Sequence, residues 1–203
     1  MSESQYNSGV VAVIRTDNPQ HALNLGRAFA DTAISAIEVT MTVPDAMRVI
    51  QTLVDEGIER VGAGTVRTVE QVREIKRIGG TFVVSPHLEE AIVKTSVDLG
   101  LASTPGTMTP SEIVQAINWG ATSQKVFPVS LVGGQAFVKA VLEPLPDARL
   151  VVSGGVQPEE VQDYLALGCV SVCMGGALWT PEIADTGDIQ AIRAYALTAL
   201  SRM

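Results

Sequence analysis

The sequence predicts a single (β/α)8 barrel, the TIM-barrel fold of the α/β class, that spans residues 1–203. Short apolar runs rich in β-branched residues alternate with segments of helical periodicity, as in parallel sheets whose strands are joined by helices. There are eight such runs, which is the number that closes a barrel of this kind. Several are apolar almost throughout, as is typical of strands buried on both faces. A doubly wound open sheet is the alternative fold.

The predicted strands begin 19 to 27 residues apart, which leaves room for a helix in most of the gaps. They are Val10–Arg15, Ala36–Thr40, Val61–Gly64, Phe82–Ser85, Leu101–Pro105, Ser123–Phe127, Leu150–Ser153 and Val170–Met174. No linker or low-complexity tract divides the chain, so one domain is expected.

Helix boundaries are marked by residues that favour helix ends. Thr68–Gln71 has the spacing of a capping box. Proline, which the first helical turn tolerates, stands near four predicted helix starts, at Asn18-Pro19, Pro44-Asp45, Pro110–Glu112 and Pro158–Glu160. Glycines that suit helix C-caps stand just before later strands, at Gly57, Gly79, Gly80, Gly100, Gly120 and Gly168.

Composition excludes several classes of protein. Apolar residues make up 46% of the chain and charged residues 18%, which disfavours disorder. The formal net charge of −8 argues against nucleic-acid binding, and no apolar run reaches the length of about 18 residues that suits a membrane helix. Residues 1–8 lack a secretion-signal pattern, and Cys169 and Cys173 are expected to be buried thiols. A cytoplasmic location is therefore expected.

Lys125 is the most informative residue of the chain. The other lysines, at positions 76, 94 and 139, lie on amphipathic segments, whereas Lys125 lies in the sixth predicted strand. Burial disfavours the charged form of an amine, and the neutral amine is the form that attacks carbonyl groups. Lys125 is therefore a candidate Schiff-base nucleophile.

Glu38 is the one acidic residue within the predicted strands, and it stands between Ile37 and Val39. Apolar surroundings are expected to raise the pKa of its carboxyl group, as a proton-transferring role requires. The second and sixth strands lie across the barrel from each other, so the side chains of Glu38 and Lys125 can converge. The alternative is a buried salt bridge between them that only holds the barrel together.

Other strand ends offer groups for an anionic ligand. Arg15 supplies a forked cation for a phosphate or carboxylate. The loops after the seventh and eighth strands are the usual phosphate site of this fold, and they contain Gly154-Gly155 and Gly175-Gly176. His21 and His87 lie in different contexts, so no metal site is predicted.

Several short motifs occur in order at the predicted strand ends. They are Ile37–Thr40, Gly62–Val66, Val84–Pro86, Pro105-Gly106, Lys125–Pro128 and Ser153–Val156. Together they resemble the bacterial 2-keto-3-deoxy-6-phosphogluconate aldolases, also called 4-hydroxy-2-oxoglutarate aldolases, from about Val10 to about Leu200. The resemblance implies a class I aldolase on a (β/α)8 barrel that uses no metal or other cofactor and assembles as a homotrimer.

The resemblance also implies roles for individual residues. Lys125 forms the Schiff base, and Glu38 moves protons during the reaction. Thr65 holds the carboxylate of the pyruvyl group, and Phe127 forms an aromatic wall beside the imine. The remaining pocket residues are implied to be Pro86 and Pro105, with Arg15, Gly154 and Gly155 at the distal, phosphate-binding end.

Three substrate-binding positions depart from the family pattern. Thr42 stands where many members carry an arginine that binds the substrate carboxylate. Gly175-Gly176 stands in place of a glycine–serine pair, and Ser153 in place of a threonine, at the phosphate-binding end. Loss of one hydrogen bond to a charged group weakens binding by about 1.5–3 kcal/mol. The choice between a phosphorylated and an unphosphorylated substrate is therefore left open.

The sequence thus predicts cleavage of a 2-keto-4-hydroxy acid, either 2-keto-3-deoxy-6-phosphogluconate or 4-hydroxy-2-oxoglutarate or both, to pyruvate and an aldehyde. One alternative is a phosphate-binding barrel isomerase that uses Glu38 as a base and Lys125 as an electrophile. Another is a non-catalytic barrel that binds a ligand. The configuration at C4 and the pathway are left open.

Overall fold

The computed structural model describes residues 9–203, and its strands form one parallel sheet that curves into a nearly closed barrel. The strands are β1 (Gly9–Ile14), β2 (Ala36–Thr40), β3 (Val61–Gly64), β4 (Phe82–Val84), β5 (Ala102–Thr104), β6 (Gly106–Thr107), β7 (Gln124–Val126), β8 (Leu150–Ser153) and β9 (Ser171–Met174). The expectation about a secretion signal concerns residues 1–8, which lie outside the described residues. The assignment of all of 1–203 to one domain stays a prediction.

Helices stand between the strands along the chain, as predicted. They are α1 (Pro19–Ala30), α2 (Ala46–Asp55), α3 (Val69–Arg77), α4 (Glu90–Asp98), α5 (Pro110–Asn118), α6 (Gly134–Leu142), α7 (Val161–Ala166), α8 (Pro181–Asp185) and α9 (Ile189–Leu200). Two 3₁₀ turns, Val129–Val132 and Pro158–Glu160, precede α6 and α7. Within residues 9–203, none of the helices combines the length and apolar composition needed to cross a membrane.

The seam of the barrel lies at Pro105. The strand order is β5-β4-β3-β2-β1-β9-β8-β7-β6. β5 lies within the fifth predicted strand, Leu101–Pro105, and β6 follows directly after Pro105. Proline has no N–H to donate, so the ladder is interrupted there. β5 still pairs with β4 and β6 with β7, while the Pro105 carbonyl accepts a hydrogen bond from the Lys125 backbone N–H at 2.9 Å. The sixth to eighth predicted strands are therefore β7, β8 and β9.

The helix starts follow the predicted signals with two exceptions. The Asn18 side chain caps α1, Thr68 opens a capping box with Gln71, and α5 begins at Pro110. The proline before α2 is displaced from the helix, because Asp45 adopts a left-handed φ of 53° and makes no side-chain cap. The residues that follow Gln157 form a 3₁₀ turn before α7, rather than the first turn of the helix itself.

Two apolar layers stabilise the barrel. The larger layer packs the strands against the helices. The smaller one consists of alternate strand residues, namely Val11, Ala36, Phe82, Val84, Ala102, Val151 and Cys173. Phe82 is fully buried, and a Cβ on Gly62 would lie 2.5 Å from its ring, so a glycine at position 62 makes room for the aromatic side chain. Cys169 and Cys173 are both buried and form no disulfide, as predicted.

Candidate active site

The C-terminal ends of the strands bring most of the predicted site residues to one mouth of the barrel. A cavity of about 620 Å³ opens there. The predicted residues that line it are Arg15, Phe127, Ser153, Gly154, Gly155, Gly175 and Gly176. Lys125 lies beside this cavity, because its Nζ is 5.1 Å from the centre of the Phe127 ring.

Pro86 and Pro105 come together at the neighbouring mouths of β4 and β5. A Cβ on Gly106, the residue after Pro105, would lie 2.5 Å from the carbonyl group of Pro86. The two prolines therefore belong to one tightly packed region at the seam. They do not line the 620 Å³ cavity, so their contact with substrate stays a prediction.

Lys125 is buried at the centre of β7, with 7% of its surface exposed, as predicted. It pairs with Gly106 on one side and Val151 on the other. Its backbone carbonyl also accepts a hydrogen bond from the Thr107 hydroxyl at 3.3 Å. These contacts hold the backbone of Lys125 on both sides, so the amine projects from a rigid position beside the Phe127 ring.

Glu38 is buried on β2, with 4% of its surface exposed, and it lies directly against the backbone of Gly64. A Cβ on Gly64 would lie 1.8 Å from Oε1 of Glu38 and 2.5 Å from its Cδ. No atom fits at that distance, so the carboxyl group occupies the space that any other residue at position 64 would fill. Gly64 therefore sets the position of the Glu38 carboxyl group.

The electrostatic environment of Glu38 suits proton transfer. Burial raises the pKa of its carboxyl group, and the positive charges of Lys125 and Arg15 partly oppose that rise. Among the ion pairs of the described residues, none joins Glu38 to Lys125. The structure therefore contains no salt bridge between Glu38 and Lys125, which is the purely structural alternative. The charge of Lys125 still acts on the Glu38 carboxyl group, without an ion pair between them.

Arg15 extends from the end of β1 towards the ends of β2 and β3. Its Nη1 donates to the Thr42 hydroxyl at 3.1 Å, and its Nη2 to the Thr65 hydroxyl at 3.3 Å. Thr65 adopts a left-handed φ of 57°, which is costly for a β-branched residue. A strained backbone thus places the Thr65 hydroxyl group against the guanidinium, one residue after Gly64, which contacts the Glu38 carboxyl.

The distal part of the cavity is built from glycine backbone and Ser153. Gly154 and Gly155 have left-handed φ values of 91° and 83°. Their loop packs against the loop after β7: a Cβ on Gly155 would lie 2.2 Å from the Ser130 hydroxyl, and the Ser130 N–H donates to the Gly154 carbonyl at 3.2 Å. Since no side chain intervenes, main-chain N–H groups of this loop can approach an anion.

Three contributing residues cannot be identified from the sequence pattern. Gly64 belongs to one of the family motifs, but its contact with Glu38 depends on the stagger of β2 against β3. Thr40 also belongs to a motif, and the structure adds a hydrogen bond between its hydroxyl group and that of Thr42. Trp179 lines the cavity and has a buried indole N–H without an acceptor in the described part of the chain. Its position five residues after β9 was the only available signal.

The barrel, the buried lysine of β7 and the buried carboxyl group of β2 fit an aldolase, which is a carbon–carbon lyase. The family model "KDPG and KHG aldolase" matches residues 2–195. The chain belongs to this family.

Curated relatives and solved structures agree with this assignment. The chain is 33% identical over 204 residues to a KHG/KDPG aldolase of Escherichia coli (strain K12), with 98% of this chain and 94% of the relative covered. It is 34% identical to a "Probable 2-dehydro-3-deoxy-6-phosphogalactonate aldolase" of Rhizobium meliloti (strain 1021), covering 89% and 86%. A solved structure described as "Native KDPGal structure" superposes with a TM-score of 0.80 at 27% identity, covering 95% and 94%.

The substitution Gly64→Ala tests whether Gly64 sets the position of the Glu38 carboxyl group. The added methyl group must displace the Glu38 carboxyl, and a displacement of about 1 Å can cost about 10²-fold in rate. We expect kcat for aldol cleavage to fall by about that factor while a thermal melt still shows a folded protein. In the double variant Gly64→Ala/Glu38→Asp, the shorter acid leaves room for the added methyl group. Its fold-loss in kcat should therefore be smaller than the product of the fold-losses of the two single variants. An unchanged kcat in Gly64→Ala would contradict the assignment.

The raised pKa of Glu38 predicts a pH-dependent stability effect. The folded protein keeps a proton on this carboxyl that the unfolded chain releases, so the group's contribution to stability is complete below its ordinary pKa of 4.5 and is lost as the pH rises through the folded-state pKa. Glu38→Gln should therefore raise Tm at about pH 8 and have little effect at about pH 4. Thermal melts across this range test it, with exposed Glu59→Gln as the control. A Tm difference that does not vary with pH would contradict the expectation.

Proposed function

We propose that the protein cleaves a 2-keto-4-hydroxy acid to pyruvate and an aldehyde through a Schiff base on Lys125. The observation that carries the proposal is the buried amine of β7 beside the cavity, with the Glu38 carboxyl held nearby but not paired to it. The relatives named above are aldolases, which supports the same reaction class. The family assignment argues against the isomerase and against the non-catalytic barrel.

The chemistry follows from the two buried groups. The Lys125 amine adds to C2 of the substrate, and loss of water gives an iminium ion. Removal of the C4 hydroxyl proton then allows the C3–C4 bond to break, the aldehyde leaves, and the bond electrons form a neutral enamine. A proton returns to C3, and water releases pyruvate and restores the amine. The iminium is needed because it accepts electrons that a ketone would hold only as an unstable carbanion.

Glu38 is the group that moves these protons. Its carboxylate form accepts the C4 hydroxyl proton, and its acid form returns a proton to C3. A carboxyl group whose pKa is raised by burial holds a proton more readily, which suits it to both roles in one turnover. Thr65 and Thr42 both accept hydrogen bonds from the guanidinium of Arg15, and Thr65 follows Gly64, which contacts Glu38. The far end of the cavity is left for the aldehyde portion.

The distal end fits an anionic group on that aldehyde portion. Ser153 and the backbone around Gly154, Gly155, Gly175 and Gly176 line this part of the cavity. Neutral N–H donors and one hydroxyl can bind a phosphate, but they suit a shorter carboxylate as well. The proposed substrates are therefore 2-keto-3-deoxy-6-phosphogluconate, 4-hydroxy-2-oxoglutarate or both.

Borohydride trapping tests the Schiff base. Incubation with pyruvate and sodium borohydride should add one reduced pyruvyl group to Lys125, located by peptide mass spectrometry. Lys125→Ala should abolish the adduct, while exposed Lys139→Ala should retain it. Glu38→Gln should still form the adduct but lose about 10²–10⁴-fold in cleavage rate, because general acid–base catalysis typically contributes that much. An adduct on another lysine, or none at all, would refute the proposal.

We further propose that the protein is a homotrimer, as the family resemblance implies, and that it is cytoplasmic, as its buried free cysteines suggest. Exposed apolar side chains, such as Leu131 (82% exposed) and Leu197 (47% exposed), favour contacts between subunits. Light scattering after size-exclusion chromatography should give three times the 21.4 kDa mass of one chain. A monomeric mass at assay concentration would rule the trimer out.

A further inference from the structure

Arg15 is held by a ring of hydrogen bonds that passes through two threonines. Its Nη1 donates to the Thr42 hydroxyl at 3.1 Å, and the Thr42 and Thr40 hydroxyl oxygens are 2.8 Å apart. The Thr40 hydroxyl donates to the Ile14 carbonyl at 3.1 Å. Because Ile14 immediately precedes Arg15, the ring returns to the backbone from which the arginine side chain extends.

The direction of each bond in the ring can be assigned. The Thr40 hydroxyl has one proton and gives it to Ile14, so the Thr42 hydroxyl is the donor between the two threonines. The Thr42 oxygen then accepts from the guanidinium. Thr40 is fully buried, which shields this end of the ring from water. Arg15 is thus a long side chain fixed in one place by neutral partners.

The guanidinium has donors to spare and forms no ion pair within the described residues. Two of its five N–H groups are used by Thr42 and Thr65, and none of the ion pairs among residues 9–203 involves Arg15. Among the described residues that line the cavity, Arg15 alone carries a charge. A fixed, unneutralised guanidinium at a cavity is suited to bind an anionic group of a ligand.

The position of the guanidinium indicates which anionic group it binds. It is bonded to Thr65, the neighbour of Gly64, and the Glu38 carboxyl lies against Gly64. A keto acid joined to Lys125 through C2 has its carboxylate carbon directly bonded to C2. That carboxylate must lie close to the two catalytic groups, whereas an anion on the aldehyde portion is several bonds farther away.

We propose that Arg15, positioned by Thr40 and Thr42, binds the carboxylate of the keto acid and is the residue that selects for a charged group next to the reacting carbonyl. This inference rests on the proposed aldolase function. It places Arg15 at the keto-acid end, whereas the family resemblance implies the distal end. Thr40 touches no substrate in this assignment and is a positioning residue.

The test isolates the keto-acid end by using pyruvate alone. Borohydride trapping is measured as a function of pyruvate concentration and, in parallel, of pyruvamide, which has the same carbonyl group but no negative charge. Arg15→Ala should raise the half-saturating pyruvate concentration by about tenfold to a hundredfold, since a hydrogen bond to a charged group contributes about that factor. The half-saturating pyruvamide concentration should stay the same.

The positioning residues are tested by removing single hydroxyl groups. Thr42→Val and Thr40→Val should each raise the half-saturating pyruvate concentration several-fold without affecting pyruvamide, and Thr42→Ser should restore most of the loss. Arg15→Lys keeps the charge but loses the fork, so it should bind pyruvate more weakly than the wild type. Exposed Arg73→Ala and Thr198→Val, which lie outside the site, serve as matched controls.

The two levels of proposal fail in different ways. If wild-type protein forms no adduct on Lys125, the aldolase function itself is wrong. If the adduct forms but Arg15→Ala leaves pyruvate trapping unchanged and raises only KM for the intact substrate, Arg15 serves the distal end and the inference is overturned. An equal loss for pyruvate and pyruvamide would also overturn it, because it would show a general disturbance of the pocket.

Discussion

The chemistry of this barrel depends on keeping an amine and a carboxyl group buried together without allowing them to pair. A direct salt bridge would fix Lys125 as a cation and Glu38 as an anion, and neither could then attack a carbonyl or exchange a proton. Strands on opposite sides of the barrel hold them apart. Gly64 provides the space that the carboxyl group occupies, and the pairing of β7 with β6 and β8 fixes the backbone of the lysine. The catalytic geometry is therefore a property of the sheet.

Stability and function are separated along the barrel. Apolar interior residues such as Phe82, which packs against Gly62, support the strands. The features that lower the stability of the folded state lie at the mouth of the barrel. The left-handed backbone of Thr65 costs on the order of 1–3 kcal/mol, and the buried carboxyl of Glu38 weakens the folded state at neutral pH. Such costs are tolerated where the surrounding structure determines the conformation, as the ends of β2 and β3 do here.

The fold and the burial of Lys125 and Glu38 could be predicted from the sequence because both depend on local patterns. Alternation of apolar runs with capped helices identifies a parallel barrel, and a lysine or glutamate inside an apolar strand stands out without further information. The second short strand, after Pro105, is not predicted, since Gly106 and Thr107 do not form an apolar run. The Arg15 network was missed because it joins residues from three strand ends, and side-chain reach depends on strand stagger. At Thr42 the sequence indicated only that a family arginine is absent; the structure places the guanidinium of Arg15 beside it.

The close packing of the Gly155 loop on the Ser130 turn has a consequence for how such an enzyme can diversify. These loops form one unit at the side of the mouth remote from β2 and β3. Amino-acid replacements there can alter which aldehydes are accepted, or on which face they are presented, while the machinery that activates the three-carbon donor stays intact. Laboratory evolution of new carbon–carbon couplings on this scaffold should therefore begin with the loops after β7, β8 and β9.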